Sequence, residues 1–326
     1  MSYTINNISI VIPTYNRVTD LKITLTHLKQ FSGKVKEIIV VDQSKNDLTK
    51  KMINRLKNDK IKYVYSNIPS ITIARNLGVK NSSKKSKLIC FIDDDVTLGK
   101  NFFEEILKVF NSYENAKAVA AYVNEARERE ISNKFENFMK KIFFLAYIEK
   151  NRARMVSAYG NTYPIKTDKI INSQWLQGAN MVYKKEIFDQ QKFDENLRGY
   201  TIAEDTDFSY RVYLKYPNSI FITPFANFKH RCSQIERYPT LKMAYINQVD
   251  HFYLNFKDFN KNLNEKIIFR WSLFGIGLLR TLNLIIRPKK INYLKLKYFF
   301  DSLFYSIKNI EKIKQGKLRE FMNNID

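Results

Sequence analysis

The chain has 326 residues, of which 44% are hydrophobic and 27% are charged, a balance typical of a globular protein with one large domain or two small ones. Two cysteines are too few for a disulfide framework, which fits a reducing compartment. The net charge of +23 and the pI near 9.7 indicate a polyanionic partner, and composition leaves open whether that is nucleic acid, an anionic membrane or a phosphorylated substrate.

Apolar runs of strand length alternate with segments of helical spacing in the first part of the chain. The predicted strands lie in ISIVIPTYNR, VKEIIVVDQS, KIKYVYSN, KLICFIDDD and AKAVAAYV, and the predicted helices in DLKITLTHLKQF, NDLTKKMINRLKN, SITIARNLGVKNS and NFFEEILKVFNSY. This alternation predicts an α/β fold with a parallel sheet that is covered on both faces. Cys90 lies inside one of the apolar runs, so we expect a buried small hydrophobe.

Polar side chains follow several of these strands at the point where each ends. They are Thr14, Tyr15 and Asn16 after the first strand, Asp42 after the second, and Asp93, Asp94 and Asp95 after the fourth, with Arg75 near the helix after the third. A sheet of this class binds ligands at the carboxyl ends of its strands. We therefore expect these side chains to face one crevice.

The middle of the chain has a weaker pattern. EARERE is charged, and FENFMKKIFFLAYIEK carries apolar residues at mixed helical spacing. QWLQGANMVYKKEIF predicts a strand and the start of a helix, and TIAEDTDFSYRVYLKY predicts a helix with acids in its first turn, where the helix dipole favours negative charge.

From about residue 240 the chain becomes aromatic, helical and basic, with 15 Lys or Arg against 6 Asp or Glu in residues 251–326. Trp271, Phe274, Leu278, Leu282 and Ile285 fall on one helical face, flanked by Arg270, Arg287, Lys289 and Lys290. The apolar run is short for a membrane span, and Arg280 interrupts it. An amphipathic segment on an anionic membrane surface fits this pattern, and an ordinary core helix is the alternative; we favour the membrane.

Two groups of acidic residues are candidates for metal binding or catalysis. Adjacent carboxylates at a strand end are unfavourable without a cation, so Asp93, Asp94 and Asp95 predict a divalent metal with a phosphate substrate; a solvated turn is the alternative. Glu204 or Asp205 could be a general base that takes a proton from a hydroxyl, and the alternative is an ordinary acidic first turn.

The ordered set VIPTYNR, IIVVDQS, IARNLG, FIDDDV, WLQGANMVYKKEIF and AEDTDFSYR resembles the inverting GT-A glycosyltransferases of family two over about residues 7–235. The resemblance implies a Rossmann-like, mostly parallel sheet flanked by helices. It implies a nucleotide-sugar donor, most naturally a UDP-sugar, a glycan or lipid-linked saccharide acceptor, and Mn²⁺ or Mg²⁺ as cofactor. Ala203 departs from the glycine that family members often have before the Glu-Asp pair, and its methyl narrows the expected acceptor side.

The resemblance also implies residue roles. The donor nucleotide would contact Pro13, Thr14, Tyr15, Asp42, Arg75, Asp93 and Asp94. Metal binding would fall to Asp95, Asp93 and His230. Asp205 would be the catalytic base. The sugar and acceptor would contact Trp175, Gly178, Asn180 and Glu204.

From these patterns we expect a catalytic domain at 1–240, with a nucleotide-binding half at 1–125 and an acceptor half at 126–240, and a basic helical region at 241–326 that associates with membrane. The N-terminus lacks a basic stretch before a long apolar core, so we expect no signal peptide. From the basic amphipathic helix and the family resemblance we expect a peripheral location on the cytoplasmic face of the cell membrane. Two alternatives stay open: transfer of a sugar to a polyprenyl phosphate, and nucleic-acid binding. No nucleic-acid-binding module is recognisable, so we expect no nucleic acid partner.

Overall fold

A computed structural model describes residues 2–123, 134–165, 167–233, 235, 239–259 and 261–323. The chain forms two compact units, each assembled from separate stretches. The first comprises Met1–Arg127, Lys166–Glu195 and Glu204–Arg237, and the second comprises Glu128–Ile165, Asn196–Ala203 and Tyr238–Asp326. The functional division into a nucleotide-binding half and an acceptor half stays a prediction.

The strands are β1 (Ile8–Thr14), β2 (Glu37–Asp42), β3 (Ile61–Tyr65), β4 (Leu88–Ile92), β5 (Val96–Leu98), β6 (Ala118–Ala121), β7 (Tyr147–Lys150), β8 (Met155–Ser157), β9 (Gly160–Ile165), β10 (Ile171–Ser173), β11 (Asn180–Lys184), β12 (Ile220–Thr223) and β13 (Phe228–His230). The α-helices are α1 (Val18–Ser32), α2 (Leu48–Leu56), α3 (Ile71–Lys80), α4 (Phe102–Ser112), α5 (Lys134–Ile142), α6 (Glu204–Lys215), α7 (Thr240–Leu254), α8 (Leu263–Ile286), α9 (Lys290–Lys308) and α10 (Ile310–Lys314).

The first unit is built on an eight-stranded sheet in the order β10-β12-β6-β11-β4-β1-β2-β3. The strands β1 to β4 are mutually parallel, and β6 and β12 form a second parallel pair. β11 runs antiparallel between β4 and β6, and β10 is an antiparallel edge strand. The predicted α/β fold with a mostly parallel sheet is confirmed. β11 lies in the segment QWLQGANMVYKKEIF, where the sequence predicted a strand, but its antiparallel direction was not predicted.

Close packing on the sheet explains how the flanking helices are placed. One face of the sheet forms a continuous core with Leu25 of α1 and Phe103 of α4. On α3, Gly78 lies so close to the sheet that an added Cβ would sit 2.2 Å from the side chain of Val11. The helix continues past this glycine to Lys80, within the segment where the sequence predicted a helix.

A small antiparallel pair, β5 with β13, lies beside the main sheet. Its register places His230 opposite Val96, the residue directly after the three consecutive aspartates. The sequence analysis did not predict β5, because the run Val96–Leu98 has only three residues. This pairing brings a histidine to the carboxyl end of β4 from a segment far along the chain.

The second unit combines the small sheet β7-β9-β8 with α5 and α7 to α10. Its core contains Val249 and Phe252 of α7 together with Ile313 and Phe321 near the end of the described chain. Asp250, which is fully buried, accepts hydrogen bonds from both terminal nitrogens of Arg319 (2.6 and 3.1 Å). The C-terminal segment is therefore part of this core.

The apolar helix α8 has 24 residues, longer than the apolar run seen in the sequence, and by length and composition alone it could cross a membrane. Arg280 does not interrupt its exposed side: the guanidinium lies 5.0 Å over the ring of Phe299 and donates to the carbonyl of Lys295 on α9. The segment EARERE lies outside the described residues.

Candidate active site

The carboxyl ends of β1 and β2 form the first wall of the site. Thr14 pairs in register with Asp42, and the two residues end their strands together. Asp42 is fully buried, and its two carboxylate oxygens accept from the backbone N–H of Ser44 and from the hydroxyl of Tyr63, each at 3.0 Å. Pro13 is buried within β1, and Tyr15, directly after it, is half-buried. The residues expected at the nucleotide base are thus grouped at one edge of the sheet.

Asp94 connects this wall to β4. Its carboxylate accepts from the hydroxyl of Thr14 (2.7 Å) and lies 3.3 Å from a guanidinium nitrogen of Arg17. Burial raises the pKa of Asp94 to about 7, although the hydroxyl of Thr14 and the charge of Arg17 oppose that shift. The middle aspartate therefore holds neighbouring strand ends in place, and Arg17 is a contributor that the sequence analysis missed.

The two outer aspartates and His230 form a group that we call the Asp–Asp–His cluster. One potential ligand atom from each of Asp93, Asp95 and His230 lies within 4.8 Å of the others. The Nε2 atom of His230 is 2.9 Å from an oxygen of Asp95 and 3.9 Å from an oxygen of Asp93. Two carboxylates and one imidazole are a donor set that suits Mn²⁺. The residues present therefore fit a divalent cation.

Asp95 is the most enclosed member of this cluster. Burial favours its neutral form, but the hydrogen bond and charge of His230, with the backbone N–H of Ser233 at 2.8 Å, outweigh burial and lower the pKa of the carboxyl. Arg231 fixes the same segment, because its guanidinium donates to the carbonyl of Val96 (3.0 Å). Arg231 and Ser233 were not predicted, and only their closeness to His230 in sequence could have suggested them.

Arg75 links the Asp–Asp–His cluster to the second acidic group. It is only 2% exposed, and its guanidinium donates to Glu204 (3.0 Å) and to the carbonyl of Gly178 (3.3 Å). The same guanidinium lies 3.7 Å from Asp93 and 5.3 Å over the ring of Phe193. One buried cation thus neutralises carboxylates from two distant parts of the sequence.

Glu204 and Asp205 open helix α6, as the sequence predicted. Burial, and then the charge of Asp205, raises the pKa of Glu204, while Arg75 opposes the shift. Burial also raises the pKa of Asp205, against Arg75 and the backbone N–H groups of Gly178 and Thr206. A carboxylate with a raised pKa is a stronger base than an exposed one, so the pair suits proton abstraction.

The strand β11 and the residues before it contribute the remaining predicted positions. The N–H of Gly178 donates to Asp205 at 2.6 Å, and an added Cβ would lie 2.9 Å from Arg75, so only glycine fits here without displacement. Trp175 is 4% exposed. Asn180 is fully buried, and its side-chain amide bonds both backbone groups of Ala121. The predicted acceptor roles of these residues stay predictions, and the observed contacts of Asn180 are structural.

Ala203 occupies the position before the Glu-Asp pair where family members often have glycine. Ala203 is 1% exposed and belongs to the core of the second unit. The effect of its methyl group on an acceptor stays a prediction.

Comparison with known proteins agrees with this geometry. The family model "Glycosyl transferase family 2" matches residues 9–190. The chain is 24% identical over 219 residues to "Glycosyltransferase GlyA" of Streptococcus pneumoniae, covering 67% of this chain and 29% of that protein. It is 27% identical over 139 residues to "Minor teichoic acid biosynthesis protein GgaA" of Bacillus subtilis, covering 41% of this chain and 31% of that protein. The chain thus spans less than a third of the length of either relative.

Two solved structures share the fold. GalNAc-T7 with UDP, GalNAc and Mn²⁺ has a TM-score of 0.58 at 14% identity, covering 93% of this chain and 57% of that one. S. aureus TarS 1–349 in complex with UDP-GlcNAc has a TM-score of 0.54 at 15% identity, covering 91% of this chain and 79% of that one. At such low identity the likeness establishes the fold alone, and it confirms the predicted GT-A architecture.

Proposed function

The chain belongs to glycosyl transferase family 2, and from that premise we propose that it transfers a sugar from a nucleotide-diphosphate donor, most naturally a UDP-sugar, to an acceptor hydroxyl with inversion. The single observation that carries the proposal is the link through Arg75 between the Asp–Asp–His cluster and the buried pair at the start of α6. This arrangement supports the proposal, because Arg75 contacts both the carboxylates that would bind the leaving group through a metal and the pair that would contain the general base. A UDP-sugar and a UDP complex among the structures of the same fold support the choice of nucleotide.

The residues of this chain would divide the work among them. Asp42 and the end of β1 orient the donor base, because a buried carboxylate can accept the N3–H of uracil. Asp205 removes the proton from the acceptor hydroxyl as its oxygen attacks the anomeric carbon, and the proton ends on the Asp205 carboxyl. Arg75 limits the rise in the pKa of Glu204 and Asp205 that burial causes, because a nearby positive charge favours the carboxylate form.

Asp93, Asp95 and His230 would hold a divalent cation, Mn²⁺ or Mg²⁺, which when bound offsets the negative charge that develops on the leaving diphosphate. Because the carboxylate of Asp95 is held ionised, it is ready to act as a ligand without losing a proton.

For the acceptor, we propose a hydroxyl of a glycan or a lipid-linked saccharide in surface polysaccharide synthesis. The names of the relatives support this choice, since one is a teichoic acid biosynthesis protein.

The test is a calorimetric titration of the protein with UDP, GDP and CMP, each with and without Mn²⁺. We expect UDP to bind in the micromolar range only when the metal is present. In Asp95→Ala, UDP should bind weakly, and Mn²⁺ should no longer increase its affinity. The control is Asp47→Ala, which removes an exposed carboxylate paired with Lys51 and should bind UDP as the unmodified protein does. If no nucleotide binds under any of these conditions, the transferase proposal is wrong.

A further inference from the structure

Three helices of the second unit expose large apolar side chains. Six of these residues define what we call the apolar face: Phe135 and Phe138 of α5, Trp271 and Ile285 of α8, and Phe300 and Phe304 of α9. Within each pair the spacing places both side chains on one side of its helix. The sequence analysis expected the helical region 241–326, which includes α8 and α9, to associate with membrane; α5 lies outside that region and was not predicted to take part.

Direct contacts join the three helices at this face. The indole N–H of Trp271 donates to the carbonyl of Ile142, the last residue of α5, at 2.9 Å. Across α8, the ring of Phe300 lies 3.9 Å from the position that a Cβ on Gly277 would occupy. The helices α5 and α9 are therefore both direct neighbours of α8, and their exposed apolar residues extend the exposed row of α8.

The apolar face is comparable in area with the largest apolar patch that a typical soluble monomer exposes. Phe304 is 71% exposed, Ile285 70% and Phe135 67%. An aromatic side chain carries roughly 150–250 Å², so the six residues together approach or exceed the few hundred Å² of the largest apolar patch on a typical monomer. Such an exposed area requires an apolar covering.

Positive charge surrounds the apolar face. Helix α5 carries three lysines and one glutamate, and α9 carries four lysines and one aspartate. Lys297 follows the exposed Tyr293 by one helical turn and precedes Phe300 by three residues, so it projects from the same side of α9. Arg287 and Lys289 lie exposed between α8 and α9, directly before Lys290, the exposed first residue of α9. An apolar surface with a basic rim is complementary to anionic headgroups above a hydrocarbon layer.

We propose that the apolar face docks on a lipid bilayer with anionic headgroups, and that α5, α8 and α9 lie in the plane of the interface. A second copy of the chain is a poorer occupant, because a self-complementary interface would place these basic residues against one another. This inference is independent of the proposed chemistry, since none of the six residues belongs to the candidate active site.

The packing of α8 favours an in-plane position over a membrane span. A helix of 24 residues is about 36 Å long, which would suffice to cross a bilayer. However, Phe269 and Ser272 are buried, and the ring of Phe143 lies where a Cβ on Gly275 would be, 2.2 Å away. One side of α8 is thus already packed on protein within the second unit, which leaves only the other side for lipid.

The experiment is flotation of the full chain with phosphatidylcholine vesicles, alone and mixed with phosphatidylglycerol. We expect binding that depends on the anionic lipid and weakens with added salt. Phe304→Glu, Ile285→Glu and Phe135→Glu should each lower the vesicle partition coefficient at least about tenfold, because each removes apolar contact and adds repulsion. Leu48→Glu, at a side chain on α2 of the first unit that is 52% exposed, is the matched control and should not change binding.

Four results would contradict the inference. Equal binding by the unmodified protein and all three variants would exclude this surface. Loss of vesicle binding by Ile285→Glu and Phe304→Glu, with full binding by Phe135→Glu, would show that α5 is not part of the docking surface. Self-association in ultracentrifugation that these substitutions abolish, without vesicle binding, would assign the face to a second copy.

Quenching of Trp271 by lipids brominated near the headgroup supports the in-plane position, and stronger quenching from the bilayer centre contradicts it. Calorimetric nucleotide binding by the same variants reports separately on the proposed chemistry.

Discussion

The three consecutive aspartates show how neighbouring residues of one type acquire different properties. Asp94 points towards Thr14 and Arg17, and burial raises its pKa to about 7. Asp95 meets His230 and a backbone N–H, which lower its pKa. Asp93 lies 3.7 Å from Arg75. Each of the three carboxylates therefore has its own polar or charged partners, which relieve the repulsion among them even before any divalent ion is considered.

The role of Asp205 can be tested by removing its charge. Asp205→Asn keeps the size of the side chain but cannot accept the acceptor proton, so we expect turnover to fall by roughly 10²–10⁴-fold with donor affinity nearly unchanged. Steady-state kinetics and calorimetry on the same preparation measure both quantities. Retained turnover would instead favour transfer to a polyprenyl phosphate, because a phosphate acceptor needs little help in losing a proton.

Arg75 should control the pH dependence of the reaction. The pKa of Asp205 is raised by burial and lowered by Arg75, so Arg75→Met should raise it further. The base works only when it is deprotonated. As the pH is lowered, Arg75→Met should therefore lose activity at a higher pH than the unmodified protein does. At alkaline pH the activity of the variant should still approach a plateau. Arg75→Lys, which keeps the charge, should restore most of the original profile.

The measurement for this prediction is kcat as a function of pH for the unmodified protein and both variants, with circular dichroism to confirm folding. A profile that keeps its acid limb in Arg75→Met would show that Arg75 has no electrostatic influence on the base.

At the scale of elements, the site depends on a short strand pair more than on the main sheet. The aspartates follow β4 directly, but only the pairing of β5 with β13 brings His230 to them. The loop before β13 approaches β5 closely: Gly99 donates its N–H to the carbonyl of Asn227 at 2.9 Å. The position of a proposed metal ligand is thus set by contacts some distance from the ligand itself.

Gly99→Ala tests this dependence. An added Cβ would lie 2.5 Å from the Cβ of Asn227, so the loop and β13 must shift. We expect Mn²⁺ affinity to fall by about 10-fold or more, the range seen when support of a ligand is disturbed, although no ligand is changed. Gly33→Ala is the control, because a Cβ there has nothing within 4 Å. Metal affinity is measured by calorimetry. An unaltered affinity in Gly99→Ala would show that the position of His230 does not depend on the packing of β5 with β13.

At the scale of the whole molecule, sequence order and compact units do not coincide. Both units draw on the middle of the chain, and the second also contains the C-terminal helices. Leu318 and Phe321 are buried in its core, beside the ion pair of Asp250 with Arg319. Truncation of residues 268–326 would therefore remove part of a folded core together with the exposed helices, which is why point substitutions are the better probes of membrane contact.

Arg319→Met should destabilise the second unit. The substitution leaves the carboxylate of Asp250 buried without its cation, and loss of one partner of a buried pair costs about 3–5 kcal/mol. Urea denaturation followed by circular dichroism should show an earlier transition for the unit that loses the pair. Lys317→Met removes the same charge from an exposed neighbouring position and should shift the transition little. Equal effects of the two substitutions would contradict the assigned role of the pair.

The mostly parallel sheet, the strand-end aspartates and the acidic start of α6 could all be predicted from the sequence, because they depend on local hydrophobic periodicity and on motifs within one segment. Three other features became visible only in the folded chain: Arg75 contacts both Asp93 and Glu204, β13 pairs with β5, and Arg280 turns towards α9. These features join segments that are distant in sequence, or depend on which face of a helix is covered. Local patterns carry no information about such pairings, since they are selected by the packing of the complete chain.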